Sequence, residues 1–391
     1  MSLLKEYIEN KWSIQDYEKE LKRLIAVYNA KRKTYLFLYV AAIGKPIPDV
    51  SMNQSDFFTI CDLLSDRNIS SSNLDMYIET PGGSGETAEE IGRYLHDKFE
   101  KVNVLVSGEA KSAGTILVLS GDDIFMTDTG SLGPIDAQIQ IGRQRVSAHD
   151  YKEWIEEKRE EAIKNGRINP FDAVMVAQSS PGELQGVLQS LAFAQVIVKD
   201  WLVKYKFKSW TIKEGKKEKV TLERKAQRAK EIAEGLTDHT RWKSHGRSIK
   251  ITDLKEMGLK IGRIDDDPAL ADVVYRIQTI CRLMFDSSNI YKIYCTADNI
   301  IAKLGAQATE PVRIPRSDPP AVEINHTCPK CGKKYHLYAK FIEDHRIDDD
   351  FVKRGYTPFP KDYIIICECG FENDLSAFKK NLEIQVGKKI I

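Results

Sequence analysis

The sequence has almost no net charge and no long hydrophobic run. Its 58 Lys and Arg residues nearly balance 57 Asp and Glu residues, for a formal net charge of +1 at pH 7. A global field that attracts nucleic acid or an anionic membrane is thereby excluded, so any such binding must come from a local patch. The longest apolar run, Tyr35–Ile43, has nine residues. Because a membrane-spanning helix needs ~20 apolar residues, we expect no membrane span.

The sequence also lacks internal repeats and low-complexity tracts. Its first nine residues include acidic side chains, which is not the pattern of a secretory signal, and we expect a cytoplasmic protein. Hydrophobic residues make up 42% and charged residues 29% of the chain, as is typical of soluble globular proteins. A length of 391 residues exceeds the usual limit of one hydrophobic core, so two or more domains are expected.

Strand and helix patterns alternate after an opening helical stretch. Residues 1–32 are polar with apolar residues at helical spacing, which predicts one or two amphipathic helices that precede the main core. Strands are predicted at Tyr35–Ala42, Leu74–Glu79, Lys101–Ser107 and Asp123–Met126, and helices at Phe57–Leu64, Glu86–Phe99 and Ser112–Leu119. This alternation indicates an α/β fold built from βαβ units with a parallel sheet.

Helical patterns dominate the middle of the chain. They cover Asp150–Lys164 and Glu183–Tyr205, and the compact pattern ends near residues 265–268. A further helical stretch is predicted to about Ala302, followed by a proline-containing linker.

Two short segments about thirty residues apart could build a hydrolytic site. Gly82 and Gly83 follow one strand and leave the backbone uncovered, so that their N–H groups can approach a carbonyl oxygen. Ser112 follows another strand at a helix start. The N–H groups of Gly83 and Ala113 would then be the oxyanion donors and Ser112 the nucleophile. Without other motifs, a helix cap and a tight βα turn explain the same residues.

The combination of motifs resembles the serine dehydrogenase proteinase family. To Met76–Gly83 and Ser112–Thr115 it adds Gly121–Met126, Gly130–Asp136 and Ser244–Ile249. That family belongs with the Clp protease, signal peptide peptidase A and crotonase folds. The resemblance implies a Clp protease/crotonase-like spiral of βαβ units, a serine peptidase with a protein or peptide substrate, and assembly into a homo-oligomer.

The general base is the weakest part of the resemblance. Clp-type members place a histidine where this chain has Ser131–Gln138, which contains none. Signal peptide peptidase relatives use lysine, and a desolvated lysine can act as a base near neutral pH. Lys164 lies in a turn similar to theirs and is the predicted base, although the aligned position falls near Asn169, which cannot accept a proton. The alternatives on the chain are Lys152, Lys158, His149 and His245.

Four of the seven cysteines are clustered near the C-terminus. Cys328 and Cys331 form a Cys-x-x-Cys-Gly knuckle, and Cys367 and Cys369 form a shorter Cys-x-Cys-Gly turn. In a reducing compartment such clusters indicate a metal, here a structural zinc ion with four thiolate ligands in a zinc ribbon. Because the second turn is one residue short, replacement of one ligand by His326 or His336 stays an alternative.

These patterns predict four segments, which are N-terminal helices at 1–32, a peptidase domain at 33–270, a helix and linker at 271–320, and a zinc-ribbon domain at 321–391. The ribbon could bind a protein partner, while its mixed charges do not indicate nucleic acid. Two other functions stay open. One is a catalytically inactive oligomeric scaffold, and the other is a crotonase-like acyl-CoA enzyme, which would need no serine at position 112.

Overall fold

The computed structural model describes residues 2–391 except 66–68, 70, 136–137, 142–143, 178–180, 213–217 and 306–319. The chain divides into two compact units, Met1–Gly305 and Ala306–Ile391. The segment predicted as a linker lies mainly outside the described residues.

The larger unit alternates strands and helices in its first half and is mainly helical in its second. Its strands are β1 (Tyr35–Ala41), β2 (Asn73–Glu79), β3 (Lys101–Val106), β4 (Glu109–Ala110), β5 (Asp123–Met126), β6 (Ser131–Leu132), β7 (Gln138–Ile141), β8 (Gln144–Ser147), β9 (Ile261–Arg263), β10 (Ile290–Cys295) and β11 (Ile300–Leu304). Its helices are α1 (Leu3–Glu9), α2 (Ile14–Arg32), α3 (Gln54–Leu64), α4 (Gly85–Lys98), α5 (Ala113–Val118), α6 (Ala148–Asn165), α7 (Pro170–Ala177), α8 (Pro181–Trp201), α9 (Leu222–Thr237), α10 (His239–Trp242), α11 (Ile251–Glu256) and α12 (Pro268–Asp286).

A seven-stranded sheet in the order β11-β10-β1-β2-β3-β5-β9 forms the centre of this unit. The five strands from β1 to β9 in that order are parallel, and β10 and β11 extend the sheet antiparallel to them. Every residue of β1 is buried, as expected of a parallel strand covered on both faces. The α/β class, the βαβ units and the four predicted strands are confirmed.

Helices cover both faces of the sheet. On one face the N-terminal helix α2 packs against α12, with Leu21, Ile25 and Tyr28 buried. On the other face α3, α4, α5, α8 and α9 enclose a second apolar cluster that includes Ile91 and Trp201. The predicted N-terminal helices are present, and they form one layer of the core.

The prediction of a helix to about Ala302 is wrong beyond Asp286. After α12 the chain enters β10, whose residues are all buried, and then β11. Strand β10 pairs with β1 at the middle of the sheet, so the sheet extends beyond the point where the sequence pattern ends near residues 265–268.

One helix within the described residues, Leu184–Lys206, is long and apolar enough to cross a membrane. In this structure 38% of the most apolar segment of that helix is buried inside the protein. Core helices of soluble proteins can have the same length and composition. The expectation that the chain does not span a membrane stays a prediction.

The smaller unit consists of short hairpins and two helices. Its strands are β12 (Ala321–Thr327), β13 (Lys334–Lys340), β14 (Thr357–Pro358), β15 (Ile364–Ile366) and β16 (Glu372–Asp374), and its helices are α13 (His345–Lys353) and α14 (Ser376–Val386). The hairpins β12–β13 and β15–β16 each carry a cysteine pair at one end. A small core that includes Ile324, Leu337 and Phe359 joins these elements.

Candidate active site and metal centre

A second row of short pairings lies beyond the carboxyl ends of the parallel strands. Thr80 pairs with Ala110, Ala110 with Leu132, and Leu132 with Ile249. Leu132 and Ile249 exchange two backbone hydrogen bonds of 2.9 and 3.0 Å. Four of the motifs recognised in the sequence therefore meet at one edge of the molecule, and Ser112 lies among them.

Ser112 occupies the turn between β4 and α5 in a strained conformation. Its φ is 51° and its ψ −119°, a region that residues with a side chain rarely adopt. The neighbouring backbone fixes the turn, because Gly114 donates a hydrogen bond of 2.8 Å to the carbonyl of Lys111. The side chain of Ser112 does not cap α5, so the helix-cap explanation of this serine is not supported. Strain of this kind persists only where the surrounding structure enforces it, and it is frequent at active sites.

The Gly82–Gly83 turn packs directly on the Ser112 turn. A Cβ atom at Gly82, whose φ is +99°, would lie 2.7 Å from the Cβ of Ser112 and 3.2 Å from the backbone nitrogen of Ala113. At Gly83, whose φ is +147°, a Cβ would lie 2.2 Å from the carbonyl oxygen of Met52. Both positions require glycine, and the requirement brings the two sequence motifs into contact.

The two predicted oxyanion donors are not consumed by secondary structure. Gly82 donates its N–H to the hydroxyl of Thr80 at 3.2 Å. By contrast, the N–H groups of Gly83 and Ala113 donate no hydrogen bond to any described residue. Gly83 is also an exposed residue.

The three lysines of α6 differ in their partners. The amine of Lys158 lies 3.1 Å from Asp172 and 3.2 Å from Glu161, and these hydrogen bonds raise its pKa. Lys152 pairs with Glu156 at 3.6 Å. Lys164, near the C-terminal end of α6, is exposed and has no carboxylate partner among the described residues.

No contact among the described residues joins the Ser112 hydroxyl to a lysine or a histidine. His149 lies in the first turn of α6, 3.6 Å from Glu153, and His245 lies half-buried in the loop before Ile249. The structure therefore brings together Ser112, Gly83 and Ala113, and within its described part none of the bases predicted from the sequence contacts them.

A buried lysine next to the serine was not recognised in the sequence. Lys111 donates to the Ser248 hydroxyl at 2.9 Å and to the Leu132 carbonyl at 3.1 Å, with longer contacts to Ser131 and Arg247. Burial lowers its pKa. A lysine immediately before a serine in an otherwise apolar segment was the available signal. Its contacts indicate that Lys111 ties the Ser112 turn to the adjoining pairings.

A cavity of about 410 Å³ lies at the carboxyl end of β2 and includes Glu79 in its lining. It is lined by residues 40–45 at and beyond the end of β1, by Glu79 and Glu109, and by Cys281, Arg282, Phe285 and Asp286 of α12. Ser112 does not line it. The Glu79 carboxyl accepts a hydrogen bond from the Tyr77 hydroxyl, and burial raises its pKa.

The smaller unit brings the four clustered cysteines to one point. The sulfur atoms of Cys328, Cys331, Cys367 and Cys369 all lie within 4.8 Å of one another. The Cys331–Cys367 and Cys328–Cys369 pairs are 3.4 and 3.8 Å apart. Four sulfurs around a tetrahedral zinc ion at about 2.3 Å would be about 3.8 Å apart, so the set could hold a metal ion of this kind.

The shorter second turn has the same form as the first. Gly332 and Gly370 have φ values of +77° and +78°. Gly332 donates to the Cys328 carbonyl at 2.9 Å, four residues back, and Gly370 donates to the Cys367 carbonyl at 2.8 Å, three residues back. The missing residue thus gives a tighter turn.

The histidine alternatives make other contacts. His326 lies 3.0 Å from the Asn373 side chain, and His336 lies 2.6 Å from that of Asn325. The group of side chains that could hold a metal in this unit contains the four cysteines and neither histidine.

Comparisons with known proteins agree with the resemblance. Residues 65–168 match the sequence model of the ClpP-like SDH-type serine proteinase family, which confirms the resemblance over that segment. Two proteins of Methanocaldococcus jannaschii are similar over about half of the chain. The uncharacterized protein MJ1495 is 25% identical over 189 residues (48% of this chain, 51% of the relative), and the uncharacterized protein MJ0137 is 25% identical over 207 residues (53% and 58%). The chain spans about half the length of these curated relatives.

Solved structures with some similarity include two forms of the 1510-N membrane-bound stomatin-specific protease. One is 12% identical with a TM-score of 0.33 and covers 61% of this chain and 84% of that protein. The other, in complex with a substrate peptide, is 13% identical with a TM-score of 0.30 and covers 59% and 75%.

Proposed function

We propose that the chain is a serine peptidase in which Ser112 attacks the carbonyl carbon of a peptide bond. The observation that carries the proposal is the packing of the strained Ser112 turn on the Gly82–Gly83 turn, with the amides of Gly83 and Ala113 left without hydrogen-bond partners among the described residues. As the serine oxygen bonds to carbon, the carbonyl oxygen gains negative charge. Two preorganised N–H donors stabilise that charge, and removing one such donor typically slows an enzyme roughly 10²–10³-fold.

The base in this proposal is Lys164. It would accept the Ser112 proton during attack and return it to the leaving amine, which gives an acyl-enzyme that water then hydrolyses. The partners of the other two lysines support this choice. Lys152 pairs with the Glu156 carboxylate, and the carboxylates beside Lys158 raise its pKa and favour its protonated form. Lys164 has no such partner among the described residues.

The proposal also covers the metal of the zinc ribbon, the cellular location of the protein and its oligomeric state. The metal held by the four thiolates is zinc, in a structural role, since four protein ligands leave no open position for substrate. The module binds a protein partner or the substrate, and the chain acts as a homo-oligomer in the cytoplasm.

Labelling with a fluorophosphonate probe tests the nucleophile. Wild type should be labelled and Ser112→Ala should not. Ser120→Ala is the matched control, since Ser120 is a buried serine just beyond α5 whose hydroxyl donates to the Leu117 carbonyl at 2.7 Å. Equal labelling of wild type and Ser112→Ala would remove Ser112 from the mechanism.

Replacement of two of the α6 lysines, one at a time, tests the base. Lys164→Met should lower kcat roughly 10²–10⁴-fold, the range of general base catalysis, while Lys152→Met should have little effect. A larger loss in Lys152→Met than in Lys164→Met would reassign the base.

One observation favours the scaffold as a second candidate. No described residue donates to, or accepts from, the Ser112 hydroxyl. A folded, oligomeric wild type that neither reacts with the probe nor cleaves an unfolded protein would support this function.

A further inference from the structure

A fully buried ion pair is connected by hydrogen bonds to the segment that packs on the Gly82–Gly83 turn. Lys292 of β10 and Asp56 of α3 have no exposed side-chain surface, and the lysine amine lies 2.8 and 2.7 Å from the two carboxylate oxygens. Replacing a buried pair of this kind by apolar residues is often neutral or stabilising, so stability is a weak reason for its presence. Its connections give another reason.

The first connection runs through two hydroxyl groups. The Tyr39 hydroxyl donates to Asp56 at 3.1 Å, and the Thr80 hydroxyl lies next to the Tyr39 hydroxyl. Thr80 in turn accepts the N–H of Gly82 at 3.2 Å. Tyr39 and Thr80 are both completely buried. The two hydroxyl groups therefore lie between the Gly82 amide and the Asp56 carboxylate.

The second connection runs through the backbone around Met52. The amine of Lys292 donates to the Ser51 carbonyl at 2.9 Å. The N–H of Asn53 donates to the Asp56 carboxylate at 2.8 Å. The ion pair thus fixes the residue on each side of Met52.

Met52 forms one wall of the glycine turn. Its N–H donates to the Gly82 carbonyl at 2.7 Å, and its carbonyl accepts the N–H of Ser84 at 3.0 Å. The pairing straddles Gly83, and Met52 backbone atoms fill the space that a Cβ at Gly83 would need. The backbone on both sides of Gly83 is therefore held, while its own amide has no partner among the described residues.

We propose that the Lys292–Asp56 pair positions the Gly83 amide for catalysis. Neither side chain touches the reacting atoms, and both act through Tyr39, Thr80 and the Met52 segment. The inference rests on the proposed function, because only there does the Gly83 amide act on the substrate.

The physical reason is preorganisation. Glycine has more accessible backbone conformations than any other residue, so an exposed glycine turn is costly to order. Ordering the turn during the reaction would therefore add to the activation free energy. Holding it beforehand avoids that cost, and a misplacement of about 1 Å can slow catalysis roughly 10²-fold. A fixed Gly83 amide stabilises the transition state more than the bound substrate. Loosening the amide should therefore lower kcat and leave KM nearly unchanged.

Single hydroxyl deletions test the link without breaking the ion pair. Tyr39→Phe removes the hydroxyl that donates to Asp56, and Thr80→Val removes the hydroxyl that accepts from Gly82 while keeping the side-chain shape. Thr80→Ser restores the hydroxyl and is the rescue variant. Tyr28→Phe is the matched control, because Tyr28 is a buried tyrosine whose hydroxyl donates to the Asp75 carboxylate at 2.7 Å, on the α2 layer of the sheet.

Peptide turnover and amide hydrogen exchange of the peptide containing residues 78–86 are measured on the full chain. In Tyr39→Phe and Thr80→Val we expect kcat to fall roughly 10–100-fold with KM within about twofold, and exchange to become faster. Thr80→Ser should stay within about threefold of wild type, as should Tyr28→Phe. Unchanged kcat and exchange in Tyr39→Phe and Thr80→Val would overturn the proposal, as would an equal loss in Tyr28→Phe.

Two further outcomes are informative. Lys292→Met tests the pair directly, and its kcat should fall as in Tyr39→Phe; if it does not fold, the two hydroxyl variants still decide the question. A wild type without Ser112-dependent labelling would overturn the proposed function. In that case faster exchange in Tyr39→Phe than in Tyr28→Phe would still support positioning of the turn, and equal exchange would overturn that as well.

Discussion

Gly114, the second residue of α5, should not tolerate a side chain unless Thr80 is shortened. A Cβ built on Gly114 lies 2.5 Å from Cγ2 of Thr80, far inside van der Waals contact. Its next neighbours, Ala110 Cβ at 3.6 Å and the Thr80 carbonyl oxygen at 3.8 Å, are at ordinary distances. A single methyl group therefore decides whether Gly114→Ala fits, and Thr80→Ser removes that methyl group.

The expected free energies of unfolding follow from this geometry. Overpacking a well-packed core destabilises by about 1–3 kcal/mol, and Gly→Ala in a helix offsets up to about 1 kcal/mol of it. Gly114→Ala should then lower stability by about 1–2 kcal/mol. Thr80→Ser alone loses roughly 1 kcal/mol of buried methyl contact. In the double variant the new methyl occupies the vacated space, so its stability should be near that of wild type, with a coupling of about 2–3 kcal/mol.

Calorimetry of the full chain measures the effect on the transition of the larger unit. A change of 1 kcal/mol corresponds to roughly 2–4 °C for a domain of 150–250 residues. Gly186→Ala is the control, because Gly186 is also helical and a Cβ there meets nothing within 4 Å, so that this variant should be neutral or slightly stabilised. The reasoning is refuted if Gly114→Ala is as harmless as Gly186→Ala, or is equally harmful with and without Thr80→Ser.

Three further outcomes are expected. Burial raises the pKa of Glu79, so its protonated form is favoured on folding and its contribution to stability is lost as the pH rises through the raised pKa; Glu79→Gln should therefore raise Tm more at pH 8 than at pH 5, and equal shifts would contradict this. A zinc chelator or Cys331→Ser should make residues 321–391 sensitive to protease while the larger unit keeps its circular dichroism, and a resistant tail after verified metal loss would argue against a structural metal. The free energy of unfolding of Ser112→Gly should be about 1–2 kcal/mol higher than that of Ser112→Ala, because glycine relieves the strain at φ 51°. Identical free energies of unfolding would mean that the turn is not strained.

The parallel part of the sheet was predictable because its signals are local. Leu74–Glu79 and Lys101–Ser107 are short apolar runs followed by small residues, and each extends into a helical pattern. The contact between the two turns was not local, yet it followed from topology, since neighbouring parallel strands end at the same edge of a sheet. In the structure Gly82 packs directly on Ser112, as this topology requires.

Strand β10 was missed for an identifiable reason. Its sequence, Ile290–Cys295, places Lys292 in the middle of the run, and a lysine normally marks a solvated position. Here the charge is neutralised by Asp56, which is 236 residues away along the chain. A pattern of hydrophobicity cannot contain that information, because the partner that makes the burial tolerable belongs to another element. The residue that hid the strand is also the one from which the glycine turn is positioned.

The same limit explains why the base could not be chosen from the sequence. Lys152, Lys158 and Lys164 all lie near acidic residues along the chain, and the sequence pattern places each of them on a charged helix. In the folded chain they separate, because α7 brings Asp172 to the amine of Lys158. A lysine held by two carboxylates is a poor base at neutral pH, since its proton is stabilised. Fitness for proton transfer is thus set by charges that folding brings near. For the exposed Lys164 to act as the proposed base, substrate or a second copy would have to cover it, because desolvation lowers the pKa of a lysine.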